Sequence, residues 1–129
     1  MSQTIQSISI DFPSVGAGTD DEVYGPWPFP GTWQIEQCHF GPATAAAAHA
    51  TNNAVCTVST NDGAGGAFTS IGNFDTSTTA NAVDTKREIT VSGAGLEIVE
   101  GSMIKVAKTE GGTGAILHGS VGVVARKVR

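Results

Sequence analysis

The first 85 residues of this 129-residue chain contain neither lysine nor arginine. That stretch holds Asp11, Asp20, Asp21, Glu22, Glu36, Asp62, Asp75 and Asp84, and all the basic residues, Lys86, Arg87, Lys105, Lys108, Arg126, Lys127 and Arg129, come after it. A chain of net charge −5 releases no counterions by covering phosphates, which argues against general nucleic-acid binding. The asymmetry suits attraction between opposite ends of neighbouring copies, or to a complementary surface. It suits equally well the pairing of early with late strands inside one molecule. Long apolar runs are also missing. None approaches the roughly 18 residues that span a bilayer, and the opening MSQTIQS lacks the basic-then-apolar layout of a signal peptide, so a soluble protein without a membrane partner is expected. Cysteine is scarce. Cys38 and Cys56 form no dense framework, and free buried thiols are expected, with a pairing of the two left open.

The residue patterns of common chemistries are missing as well. His39, His49 and His118 stand at no helical metal spacing and no C-x-x-C occurs, so no metal site is expected. Asp20-Asp21-Glu22 lacks the alternating ligands and glycine turn of a calcium loop and reads as a solvated acidic turn. The stretches GAGG, GAG and GGTG precede no Lys-Ser/Thr and join no strand to a helix, so these glycines make turns rather than phosphate cradles. There is no G-x-S-x-G elbow, and Cys38 and His39, adjacent in a strand, face opposite ways. Neither an enzyme nor a bound cofactor is expected.

What is present is strand and turn. No segment keeps helical spacing over three turns, while 17 glycines and many Thr, Ser, Val and Ile residues favour strands. The alanine run 43–50 is too short and too closely bracketed by Gly41-Pro42 and Asn52-Asn53 for more than a turn. Ile8, Ile10 and Phe12 alternate with polar residues up to Pro13. In TWQIEQCHF, 32–40, strict alternation puts Trp33 and Ile35 on one face and Cys38 and Phe40 on the other. AVCTVST, 54–60, and AFTSIGNF, 67–74, form a hairpin around Asn61–Gly66, with Phe68 and Phe74 on one face. Further strands are REITVSG (87–93), LEIV (96–99), MIKVAK (103–108) and AILHGSVGVVARKV (115–128), the last bulged near Gly119. Seven or eight strands at this spacing predict one all-β domain, an antiparallel β-sandwich over 32–129.

Residues 24–33, YGPWPFPGTW, contain half of the aromatic side chains. Pro26, Pro28 and Pro30 remove three amide donors in five residues, which predicts an extended segment outside any ladder, so that 1–31 reads as an N-terminal strand and arm. Tyr24, Trp27 and Phe29 would each forfeit roughly 1.5–3 kcal/mol in water, so something covers them: the chain's own sandwich, a neighbouring copy or another protein.

The tandem NNAVCTVSTNDGAGGAF, then G-x-G-L-x-I-x-x-G-x-x-I-x-V, GGTG and a terminal alternating strand, resembles the jelly-roll or β-sandwich proteins that decorate the heads of tailed bacteriophages. The resemblance covers roughly residues 52–128. It implies a virion protein, made in the host cytoplasm, that cements the outer capsid surface, has the major capsid protein as partner and is often a homotrimer. On that reading Tyr24, Trp27, Phe29 and Trp33 pack an arm against a neighbour, and Arg126, Lys127 and Arg129 make ionic contact with an acidic surface. A tail or fibre component would share the grammar. A carbohydrate- or host-receptor-binding module is the alternative of another class, since exposed tryptophans on a sandwich stack on sugar rings.

Overall fold

The computed structural model describes residues 4–129, which form two antiparallel sheets packed face to face. The strands are β1 (Ile5–Val15), β2 (Asp21–Pro26), β3 (Thr32–Pro42), β4 (Asn53–Thr60), β5 (Thr69–Asp75), β6 (Arg87–Ile89), β7 (Glu97–Val99), β8 (Met103–Gly111) and β9 (Leu117–Lys127), with a single 3-10 turn at Ala94–Leu96. Sheet A runs β1-β9-β3-β6 with β7 also on β3, and sheet B runs β2-β8-β4-β5. With the three-residue β7 set aside, the first strand pairs with the last and the second with the second-last. This is the wrapping of a jelly roll. The expected all-β sandwich is therefore the observed one, with nine strands among the described residues.

Period-two alternation builds the core. In β9, Leu117, Val121, Val123 and Ala125 point inward and are buried, while His118, Ser120, Gly122 and Arg126 point outward. Gly119 shares the inward parity, and a Cβ there would lie 2.7 Å from the Phe40 ring. It is a close-packing position inside a regular strand. The irregularity lies across the ladder, in β1, where three steps from Phe12 to Val15 match two steps of β9.

A second bulge corrects the reading of β3. Between Ile35 and Gln37 the register against β9 shifts by one residue, leaving Glu36 exposed as the extra residue. Trp33, Ile35, Cys38 and Phe40 consequently share the core face. A third bulge, at Ile71, corrects the hairpin partner: Ile71 and Phe74 both turn inward, and Phe68 is left outside. The hairpin itself, β4 to β5 around Asn61–Gly66, is as expected. The alanine run forms no helix and is tied down where Ala46 bridges Asn81.

Of the segment read as a strand and arm, 1–31, the strand is β1, and the part from Asp21 to Pro26 is a second strand rather than a free arm. Among the described residues, β1 is an edge strand of sheet A and β2 an edge strand of sheet B. Pro26 occupies the last position of β2, opposite Met103. Because the prolines alternate, the amide of Trp27 is free to continue the ladder, donating to the Ser102 carbonyl at 2.8 Å while Gly101 N–H donates to the Trp27 carbonyl. Prolines at the end of an edge strand cost no internal hydrogen bond.

Candidate interaction face

The aromatic segment divides into an inner and an outer group. Trp27 is fully buried and Trp33 is 2 % exposed. Their rings meet edge-on at 5.5 Å, Phe29 packs on both at 5.1 and 5.8 Å, and Trp33 Nε1 donates to the Pro30 carbonyl. These rings close one end of the chain's own core, so Trp27 and Trp33 are corrected from partner anchors to core residues, with Phe29 packed half-buried against them.

Tyr24 is different. It stands on the outer face of β2, 48 % exposed, opposite Lys105 of β8. Phe68, placed outside by the chain just before β5, lies 5.7 Å from the Tyr24 ring, and Lys105 Nζ sits 4.7 Å over the Phe68 ring, a cation–π arrangement. The Tyr24 hydroxyl donates to Glu22 Oε1 at 2.5 Å, and that hydrogen bond holds its pKa above the ordinary value. Met103 and Pro26 continue the patch along the same face. Tyr24 is the sequence-predicted aromatic residue that remains available. Phe68 and Lys105 were missed, because strict alternation through β5 hid the bulge that turns Phe68 out.

The basic C-terminus is partly spent within the chain. Arg126 Nε pairs with Glu36 at 3.0 Å, Arg129 pairs with Glu97 at 3.3 Å, and Lys127 is exposed without an ion pair among the described residues. Arg126–Glu36 is an early–late pairing of the kind the charge asymmetry suggests.

Lys108 is the buried basic residue that alternation should have flagged, since it shares parity with inward-facing Ile104 and Val106. Its ammonium donates to the carbonyls of Gly16 and Thr19, both at 2.8 Å, and of Val15 at 3.4 Å, and it pairs with Glu110. The connection from β1 to β2 is thus gathered on one buried cation. Burial pushes the Glu110 carboxyl up, but the hydrogen bonds from Lys108 and the Gly18–Thr19 backbone prevail and hold it below its usual value. Gly114 arches over this carboxylate at φ +81°, and a Cβ there would collide with Glu110 Oε2.

Across sheet A runs a shallow groove of about 520 Å³ lined by Ser7, Ser9, His39, Ser120 and Gly122. Among the described residues no hydrogen bond joins His39 to a serine or a carboxylate there, so no nucleophile–base pair is assembled. Nor do three His, Cys, Asp or Glu side chains converge as a metal set among those residues. Cys38 and Cys56 face each other's sheet from β3 and β4 as free, buried thiols. Desolvation pushes both up to about 12, with the neighbouring Cys38 charge adding to the effect at Cys56. Compared with known proteins, the chain matches no family model and no curated protein.

Proposed function

We propose that this chain is a structural virion protein, a decoration or cement protein that binds the outer surface of a phage head through the outer face of sheet B. The observation that carries the reading is the Tyr24–Phe68–Lys105 patch: two aromatic rings and a cation held outward on a rigid sheet, where they can be desolvated by a partner at little entropic cost. The jelly-roll topology and the strand-and-turn pattern over residues 52–128 support the same reading. Its partner is the major capsid protein, its location the capsid surface, and its action the bridging of shell subunits without a catalytic group. Lys127 adds a free cation for an acidic partner surface.

The test is co-sedimentation with heads that lack the protein. The double variant Tyr24→Ala/Phe68→Ala should fold and bind at least about 100-fold more weakly, the loss expected from two hot-spot rings. Undiminished binding removes this face from the mechanism.

A sugar-binding module remains the second reading, favoured by one feature: the half-exposed Tyr24 ring with Glu22 at its hydroxyl, an apolar plate beside a polar handle. Glycan-dependent change in tyrosine fluorescence or in amide NMR shifts around Tyr24, without sedimentation on heads, would replace the first reading by this one.

A further inference from the structure

The two flanks of the sandwich are finished differently. On one, Ser92 N–H donates to the Ile71 carbonyl at 2.9 Å, stitching the chain after β6 to β5. On the other, β1 and β2 end their sheets in contact with each other, yet among the described residues no backbone hydrogen bond joins them. The β2 edge is short and guarded by Asp21, Glu22 and Pro26. Charges and prolines are what keep an edge from accepting another strand. The β1 edge has little of this protection. From Ile5 to Phe12 it pairs with β9 without a register shift, carries one charge, Asp11, and meets its first proline only at Pro13.

The direction of each amide along β1 can be read from its ladder. Lys127 N–H donates to the Thr4 carbonyl at 2.9 Å, in the same register that sets Ile5 opposite Arg126. Hydrogen-bonded pairs alternate along an antiparallel ladder, so the even-numbered residues of β1 direct their backbone groups at β9. Ala43 N–H donates to the His118 carbonyl, which agrees, since it assigns the even residues of β9 to the β3 side. Ile5, Ser7, Ser9 and Asp11 therefore turn their N–H and C=O groups to the open edge, and all four are exposed.

We infer that this edge joins a second copy of the chain, β1 against β1 in antiparallel pairing about a two-fold axis at Ile8. That register makes hydrogen-bonded pairs of Ser7 with the second copy's Ser9 and of Ile5 with its Asp11, about eight new backbone hydrogen bonds in all. Ile8 meets Ile8 on the core-facing side, where Gln6 and Ile10 also meet. Charge selects the same arrangement. Arg126 lies beside Ile5 with Lys127 next to it at one end of β1, while Asp11 and the acidic run Asp20–Glu22 lie at the other. The two-fold sets the basic end of each copy against the acidic end of the other. It also keeps the two Asp11 carboxylates roughly 20 Å apart, beyond the screening length at physiological salt. The result is one continuous sheet through both molecules, a pairing independent of whatever docks on sheet B.

The test is the mass of the intact chain by light scattering and sedimentation equilibrium, for the wild type and for Ser9→Pro. Proline at this position removes an amide that the chain does not use internally, so the expected result is a wild-type dimer and a Ser9→Pro chain with an unchanged melting curve and a dissociation constant raised at least about 100-fold. A monomeric or three-fold wild type, or a folded Ser9→Pro dimer of unaltered affinity, overturns the inference. Should Ser9→Pro fail to fold, Ile8→Cys decides. Facing residues in a non-hydrogen-bonded pair have Cβ atoms about 4.5–5.5 Å apart, so mild oxidation should yield a covalent dimer, and a dimeric chain that does not cross-link overturns the proposal. Cys38 and Cys56, being buried, do not compete.

Discussion

Tyr24 and Trp27 are three residues apart and serve opposite purposes. Trp27 turns inward where β2 ends, meeting Phe29 and Trp33 in a group that seals the core. Tyr24, still on the ladder, has the outward parity and joins Phe68 and Lys105 on the surface of sheet B. Aromatic richness in a segment says nothing about docking until ladder parity has divided it. Only the outward member of the pair can be covered by a partner.

The largest effect should come from the inner group. Trp27→Ala removes a fully buried ring and is expected to destabilise the fold by about 4 kcal/mol in urea denaturation. Trp27→Phe should cost much less, because the buried Trp27 Nε1 has no hydrogen-bond partner to lose. If the alanine variant is nearly as stable as wild type, the division into inner and outer groups fails. Next comes Lys108→Met, expected to cost about 3 kcal/mol, since it leaves the Glu110 carboxylate and the Gly16 and Thr19 carbonyls without their cation. Hydrogen exchange should then show the 16–20 connection opening while the Trp27 neighbourhood stays protected.

A smaller effect is set by pH. In the unfolded chain the two thiols ionise near their ordinary value of 9.0, whereas folded Cys38 and Cys56 hold their protons up to about 12. Between those values the unfolded state binds fewer protons, so stability is full below pH 9 and falls as pH rises, by up to about 1.4 kcal/mol per pH unit for each thiol. Urea midpoints from pH 8 to 11 check the sign, and thiol reagents at neutral pH should label neither residue before unfolding. The smallest effect is expected at the outer group: Tyr24→Ala and Phe68→Ala should each change stability by less than about 1 kcal/mol while weakening the proposed attachment to heads. A large stability loss there would erase the contrast with Trp27.

Fold class was legible in the sequence because alternation and glycine turns carry it; the β4–β5 hairpin, β8 and β9 lie where period two and the turn residues place them. What alternation misreads is where the ladder slips. Glu36 in β3, Ile71 in β5 and the Pro13–Ser14 step in β1 each shift the inward set, and a bulge in a polar or β-branched context leaves no mark in the local sequence. Strand β2 was hidden for another reason. The proline tract suggested exclusion from any sheet, yet a proline at the last position of an edge strand displaces no donor that a neighbour needs. Of the interaction face, Tyr24 could be named in advance, but Phe68 depended on the Ile71 slip and Lys105 on the partner strand that brings it over Phe68.

Glu36 has a consequence for how this chain can vary. Because one supernumerary residue keeps Trp33 and Ile35 in phase with Cys38 and Phe40, losing a single codon there would not shorten a loop but invert half of the central strand, sending either the indole end or the thiol end into water. Replacements at that site are cheap, whereas deletions are ruinous. At position 36 it is the presence of a residue, rather than its identity, that the packing of β3 requires.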